Sequence, residues 1–105
     1  MILARVEGSL VATKKSAKMT GSKFLVVRPV LVRDPKNAVL EDGSNTLIAT
    51  DSVGAGEGEL VLVVQGSSAR LAMESKDLPV DAVVIGIVDT VDLGRHMLYR
   101  AGEES

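Results

Sequence analysis

A chain of 105 residues with 46% hydrophobic but only 2% aromatic side chains has room for one compact core. It must build that core from Val, Leu, Ile and Ala, a composition that leans towards β structure. Twelve basic against fourteen acidic residues give a formal charge of -2 with no long block of either sign, which argues against a polyelectrolyte tail and against nucleic acid as a partner. The lack of cysteine removes disulfides, thiolate metal ligands and cysteine nucleophiles, and no apolar run approaches the roughly 20 residues that a membrane-spanning helix needs.

The first segment alternates. Ile2, Ala4, Val6, Leu10 and Ala12 fall on one side while Arg5, Glu7, Ser9 and Thr13 fall mostly on the other, the period-two pattern of a half-buried strand with Gly8 as a bend or bulge. The charges at Arg5 and Glu7 also break any run suited to an export signal, so a soluble cytoplasmic protein is expected. Lys14 to Gly21 is polar and unpatterned and reads as an exposed loop. A second strand is predicted from Lys23 to Val32, with Pro29 confined to an edge or a bulge because it has no N–H to give to a ladder. Arg33 to Asn45 contains Asp34-Pro35, Lys36-Asn37 and Asp42-Gly43, turn-forming pairs that read as a long loop or a hairpin tip.

Thr46 to Asp51 is a third strand, and Gly54-Ala55-Gly56-Glu57-Gly58-Glu59 a flexible bend. Leu60 to Gln65 follows as a nearly continuous apolar strand, which implies cover on both faces. The run from Ser67 to Met73 reads as the start of a short helix capped by a serine. Pro79 and Asp81 introduce a last strong strand, Ala82 to Asp89. The tail from Thr90 to Ser105 places Val91, Leu93, Met97, Leu98 and Tyr99 among charges, so it adds a short strand or lies against a neighbour. Five principal strands with glycine-rich bends and one short helix define an all-β chain, with a small five-stranded OB-like barrel as the expected architecture. So small a barrel leaves awkward edges, which subunit pairing protects.

Each chemical motif has a plainer counterpart. The 54–58 stretch resembles a phosphate-cradling loop, but it leads into a strand instead of a helix and carries Glu57 and Glu59, so a tight turn is the better reading. Ser67 and Ser68 could serve a hydrolase only with His96, the single histidine, and its isolation among charges favours a capped turn in which Arg70 grips a carboxylate. The scattered Asp and Glu residues match no metal-loop spacing and read as solvated or salt-bridged carboxylates. Lys14, Lys15, Lys18 and Lys23 form a basic patch. An OB-like barrel that binds single strands also needs stacking aromatics, and the chain has one Phe, one Tyr and no Trp.

Taken in order, Ala12-Thr13-Lys14-Lys15, Gly21 to Val27, Asp51 to Glu59, Gly66-Ser67-Ser68-Ala69-Arg70 and Val80 to Asp89 resemble the EutN/CcmL family of bacterial microcompartment vertex proteins, over about residues 1 to 91. Ala4 departs from the glycine usual there, and Phe24 from the usual leucine. The resemblance implies one vertex domain across 1–105, with a core at 1–91 and a variable tail at 92–105. It further implies an OB-like barrel assembled as a homopentamer, among hexameric and pseudohexameric shell proteins, in the shell of a cytoplasmic microcompartment. It implies neither enzyme activity nor a cofactor, metal, nucleic acid or membrane partner. The alternative is a single-stranded nucleic-acid-binding OB module. Carried over motif by motif, the resemblance offers Gly54, Ala55, Gly56, Gly58, Glu59, Gly66, Ser67, Ser68 and Arg70 for the subunit interface and five-fold axis. Asp51, Asp81 and Asp89 are offered as partners of Arg70 or of backbone amides.

Overall fold

The computed structural model describes residues 1–11, 23–33, 39–66 and 81–102. They form eight strands: β1 (Ile2–Leu10), β2 (Lys23–Arg33), β3 (Val39–Asp42), β4 (Leu47–Asp51), β5 (Leu60–Gln65), β6 (Ala82–Ile87), β7 (Thr90–Leu93) and β8 (His96–Arg100). One sheet runs β1-β5-β6-β4-β2-β3, and a further antiparallel pairing of β1 with β2 closes β1, β5, β6, β4 and β2 into a five-stranded barrel. The expected barrel is therefore present. There is no helix among the described residues, and the short helix expected from Ser67 to Met73 lies outside them.

Strand alternation sends one set of side chains inward. Ala4 and Val6 of β1, Leu25 and Val27 of β2, Ala49 of β4, Val61 and Val63 of β5, and Ala82 and Val84 of β6 form the core cluster. None is larger than leucine, as a small barrel filled by its own side chains requires. β5 is buried at Leu60 and Val64 as well as at Val61 and Val63. Its continuous apolarity thus reflects cover on both faces.

Two irregularities shape the barrel. β1 shifts register against β2 between Val6 and Gly8, the bulge expected at that glycine. The second is larger. β3 and β4 pair along the same β2 edge, Val30 opposite Asp42 and Val27 opposite Leu47, so Arg28 and Pro29 face the four residues 43–46. Proline has no amide for that edge, and the chain opposite bows out around it. The bow is pinned by Gly43 N donating to Pro29 O at 2.8 Å and by Arg28 Nη1 donating to Gly43 O at 2.8 Å. Arg28 also grips both carboxylate oxygens of Glu7 on β1, at 2.9 and 3.2 Å.

β7 and β8 form a separate antiparallel hairpin, closed at its base by Ala101 N donating to Asp89 O at 2.8 Å. The tail therefore contributes two strands instead of one. Tyr99 of β8 reaches the barrel, where its Oη accepts from Leu60 N at 3.4 Å.

Candidate functional site

The glycine bend lies at one mouth of the barrel. β2 starts there with Lys23 and β4 ends there with Asp51, and the two residues are cross-strand partners. Both continue the inward-facing rows of their strands, so at the mouth these rows end in a cation and an anion. The Asp51 side chain is only 2% exposed, which demands compensation for its charge. Compensation comes from the loop itself. Asp51 Oδ1 accepts from Val53 N and Gly54 N, and Oδ2 from Ala55 N, each at 3.0 Å. Lys23 Nζ lies 3.7 Å from Oδ2 and donates to Ala55 O at 3.3 Å. Three successive amides converge on one carboxylate, an anion nest occupied by the chain's own side chain.

The rest of the loop is fastened as well. Ser52 Oγ donates to Val84 O at 2.5 Å. Ala55 has no exposed surface and joins the core cluster, so the loop folds its methyl into the mouth. Gly56 N donates to Glu59 Oε1 at 2.6 Å, and Gly58 N to Val6 O at 2.8 Å. Gly54 and Gly58 have φ of 79° and 88°, left-handed values that explain glycine at these two positions. What remains on the outside is Ser52, Val53, Gly54, Glu57 and Gly58.

Gly66, the first residue of the second motif, is at the other end of β5, about 20 Å away for a six-residue strand. Its amide donates to Asp81 O at 2.7 Å, pinching together the end of β5 and the start of β6. Ser67, Ser68 and Arg70 lie outside the described residues. Gly66 therefore does not join the 54–59 loop within a chain. Gly54, Ala55, Gly56, Gly58 and Glu59 gather with Asp51 at one mouth, while Gly66 and Asp81 stand at the opposite end.

Asp89 follows β6 next to Val88, whose amide donates to Leu60 O at 2.8 Å; this places Asp89 near the start of β5. Both Asp81 and Asp89 are exposed, and their backbone carbonyls accept from Gly66 N and Ala101 N. Of the three aspartates, Asp51 is the one whose carboxylate accepts from backbone amides among the described residues. Lys23, which sequence reading assigned to a basic patch, is instead committed to Asp51 and Ala55; the signal that would have revealed it is the β2–β4 register. Lys14, Lys15 and Lys18 are outside the described residues. His96 is exposed at the start of β8.

A closed five-stranded barrel with one mouth sealed by an internally bonded glycine loop defines a small OB-like scaffold. Residues 1–89 match the family described as "Ethanolamine utilisation protein EutN/carboxysome", and the chain belongs to that family. It is 46% identical over 91 residues to the bacterial microcompartment shell vertex protein PduN of Salmonella typhimurium, covering 87% of this chain and 98% of that one. It is 40% identical over 102 residues to the carboxysome shell vertex protein CcmL of Thermosynechococcus vestitus, covering 94% of each. The solved structure of GrpN, a pentameric microcompartment shell protein from Rhodospirillum rubrum, superposes with a TM-score of 0.74 at 40% identity, covering 90% of this chain and all of that one. These relatives give no support to the nucleic-acid reading.

Proposed function

We propose that this chain is a structural subunit of a bacterial microcompartment shell, five copies of which close into a ring at the shell's corners. The observation that carries this is the likeness of 90% of the chain to GrpN, a pentameric microcompartment shell protein, together with the shell vertex names of PduN and CcmL. The role is geometric. A surface tiled by six-fold units stays flat, and five-fold rings inserted among hexameric and pseudohexameric shell proteins let it close. The subunit contributes shape and not catalysis, and its place is the shell of a cytoplasmic compartment.

Within the ring, the 54–59 loop and residues 66–70 are the proposed contact segments; the loop precedes β5 and Gly66 follows it. Small residues there permit close approach of backbones. Apolar residues left half-exposed on the single chain, including Leu31, Val39 and Ile48 at 46–50%, are surface that assembly would bury. Native mass spectrometry of the intact chain tests the reading. A species of five times the 11.0 kDa chain mass is expected, and a persistent monomer or a ring of another order overturns it.

A further inference from the structure

We propose that Lys23 and Asp51 are positioning residues for assembly: they set the 52–58 loop in its working shape within the single chain, before any neighbour arrives. This rests on the reading of the chain as a ring-forming subunit and assigns the pair a role behind the contact surface instead of on it.

The geometry separates the two roles. At 2% exposure the Asp51 side chain has almost no surface to offer a neighbour. Its oxygens are taken up by the amides of Val53, Gly54 and Ala55 and by the Lys23 ammonium. One carboxylate thus restrains three consecutive residues. Lys23 adds a second tie through Ala55 O, and Gly56 and Gly58 fasten the far side to Glu59 and Val6. The inner surface of the loop is locked, and the outer surface, including Val53 at 39% exposure, faces solvent.

Such a loop meets a neighbour already ordered. A ring repeats each contact five times, so any freedom the loop lost on docking would be charged at every joint, and prior ordering removes that cost. Asparagine at position 51 presents an amide N–H₂ where one oxygen now accepts, and it cancels the charge that Lys23 attends. The loop should then open while the barrel, held by its own ladder and core, stays folded.

The experiment compares wild type with Asp51→Asn by amide hydrogen exchange and by sedimentation across a dilution series. In wild type the Val53, Gly54 and Ala55 amides should exchange slowly. In Asp51→Asn they should exchange faster while β5 and β6 amides keep their protection, and the concentration at which the ring half-dissociates should rise at least about tenfold, the scale of a lost charge-assisted hydrogen bond. Unchanged exchange at the three amides overturns the proposal, and so does faster exchange with an undiminished ring. If Asp51→Asn does not fold, Lys23→Met decides: it leaves the three amide bonds in place, should loosen Ala55 and weaken the ring to a smaller degree, and an unaltered ring overturns the proposal. A wild type that never forms pentamers refutes the ring reading itself and is seen before any substitution is made.

Discussion

Replacing Gly58 by alanine separates backbone strain from crowding. Its φ is 88°, and a Cβ built there would meet nothing within 4 Å in the chain itself, so within a single chain the penalty arises from the backbone conformation. Gly58 N also donates to Val6 O at 2.8 Å, so the residue cannot relax without releasing the loop from β1. A left-handed L-residue costs about 1–2 kcal/mol. With a urea slope of about 1–3 kcal/mol/M for a small domain, the unfolding midpoint should fall by roughly 0.3–2 M. The control is Gly86→Ala in β6, where φ is not left-handed and the nearest atom, Leu62 Cδ1, is at an ordinary 3.7 Å. Alanine is expected to be neutral or mildly stabilising there, since glycine weakens a strand interior. Both variants are measured by urea denaturation at one fixed protein concentration, because assembly itself shifts apparent stability. A Gly58→Ala midpoint no lower than that of Gly86→Ala would refute the reasoning. D-alanine at position 58, built by chemical ligation, should recover the loss.

Two other tests address the core and the β1–β2 seam. Leu25 is 2% exposed in the inward row of β2, and Leu25→Ala should cost about 2–5 kcal/mol through lost transfer and a residual cavity, read as a lower urea midpoint at unchanged slope. The Glu7 carboxyl is held below the usual carboxylate range chiefly by its hydrogen bond to Arg28; desolvation opposes this, and the charges of Arg28 and Arg5 add smaller effects in the lowering direction. A carboxyl depressed in the folded state adds stability above its unfolded pKa and loses it as pH falls through the folded value. Stability of wild type relative to Glu7→Gln should therefore be greatest near neutrality, shrink as pH drops below the ordinary Glu range, and diminish with salt because the pair is exposed. A difference that grows towards acid would contradict this sign.

Sequence reading recovered features governed by neighbours along the chain and lost those governed by register. β5 coincides with the expected Leu60 to Gln65 because an apolar run bounded by Gly58 and Gly66 has few alternatives. Pro29 announced its irregularity through its missing amide, and Gly8 its bulge. β3 was hidden among turn-forming pairs: Val39–Asp42 is a four-residue strand with little periodicity of its own, and its partner is supplied by the end of β2. The β7–β8 hairpin was hidden similarly, since Leu93 and His96 pair across Gly94-Arg95 amid charged residues. At the candidate site the glycines and Asp51 were visible as a motif. Lys23 was not, because 27 residues of chain separate the pair and only the β2–β4 ladder joins them. The separation of Gly66 from the 54–59 loop also needed three dimensions. Close in sequence, they are held apart by the strand between them.

The barrel's sealed end bears on permeability. With Ala55 pressed into the mouth and valine, leucine and alanine side chains occupying the lumen, the described residues of one chain fill their own barrel with side chains. In the proposed shell corner made of such chains, a filled barrel directs any transit to the seams where copies meet. Selectivity there would then be governed by how tightly neighbouring chains abut and by the groups they present along those seams, while the barrels themselves act as solid posts.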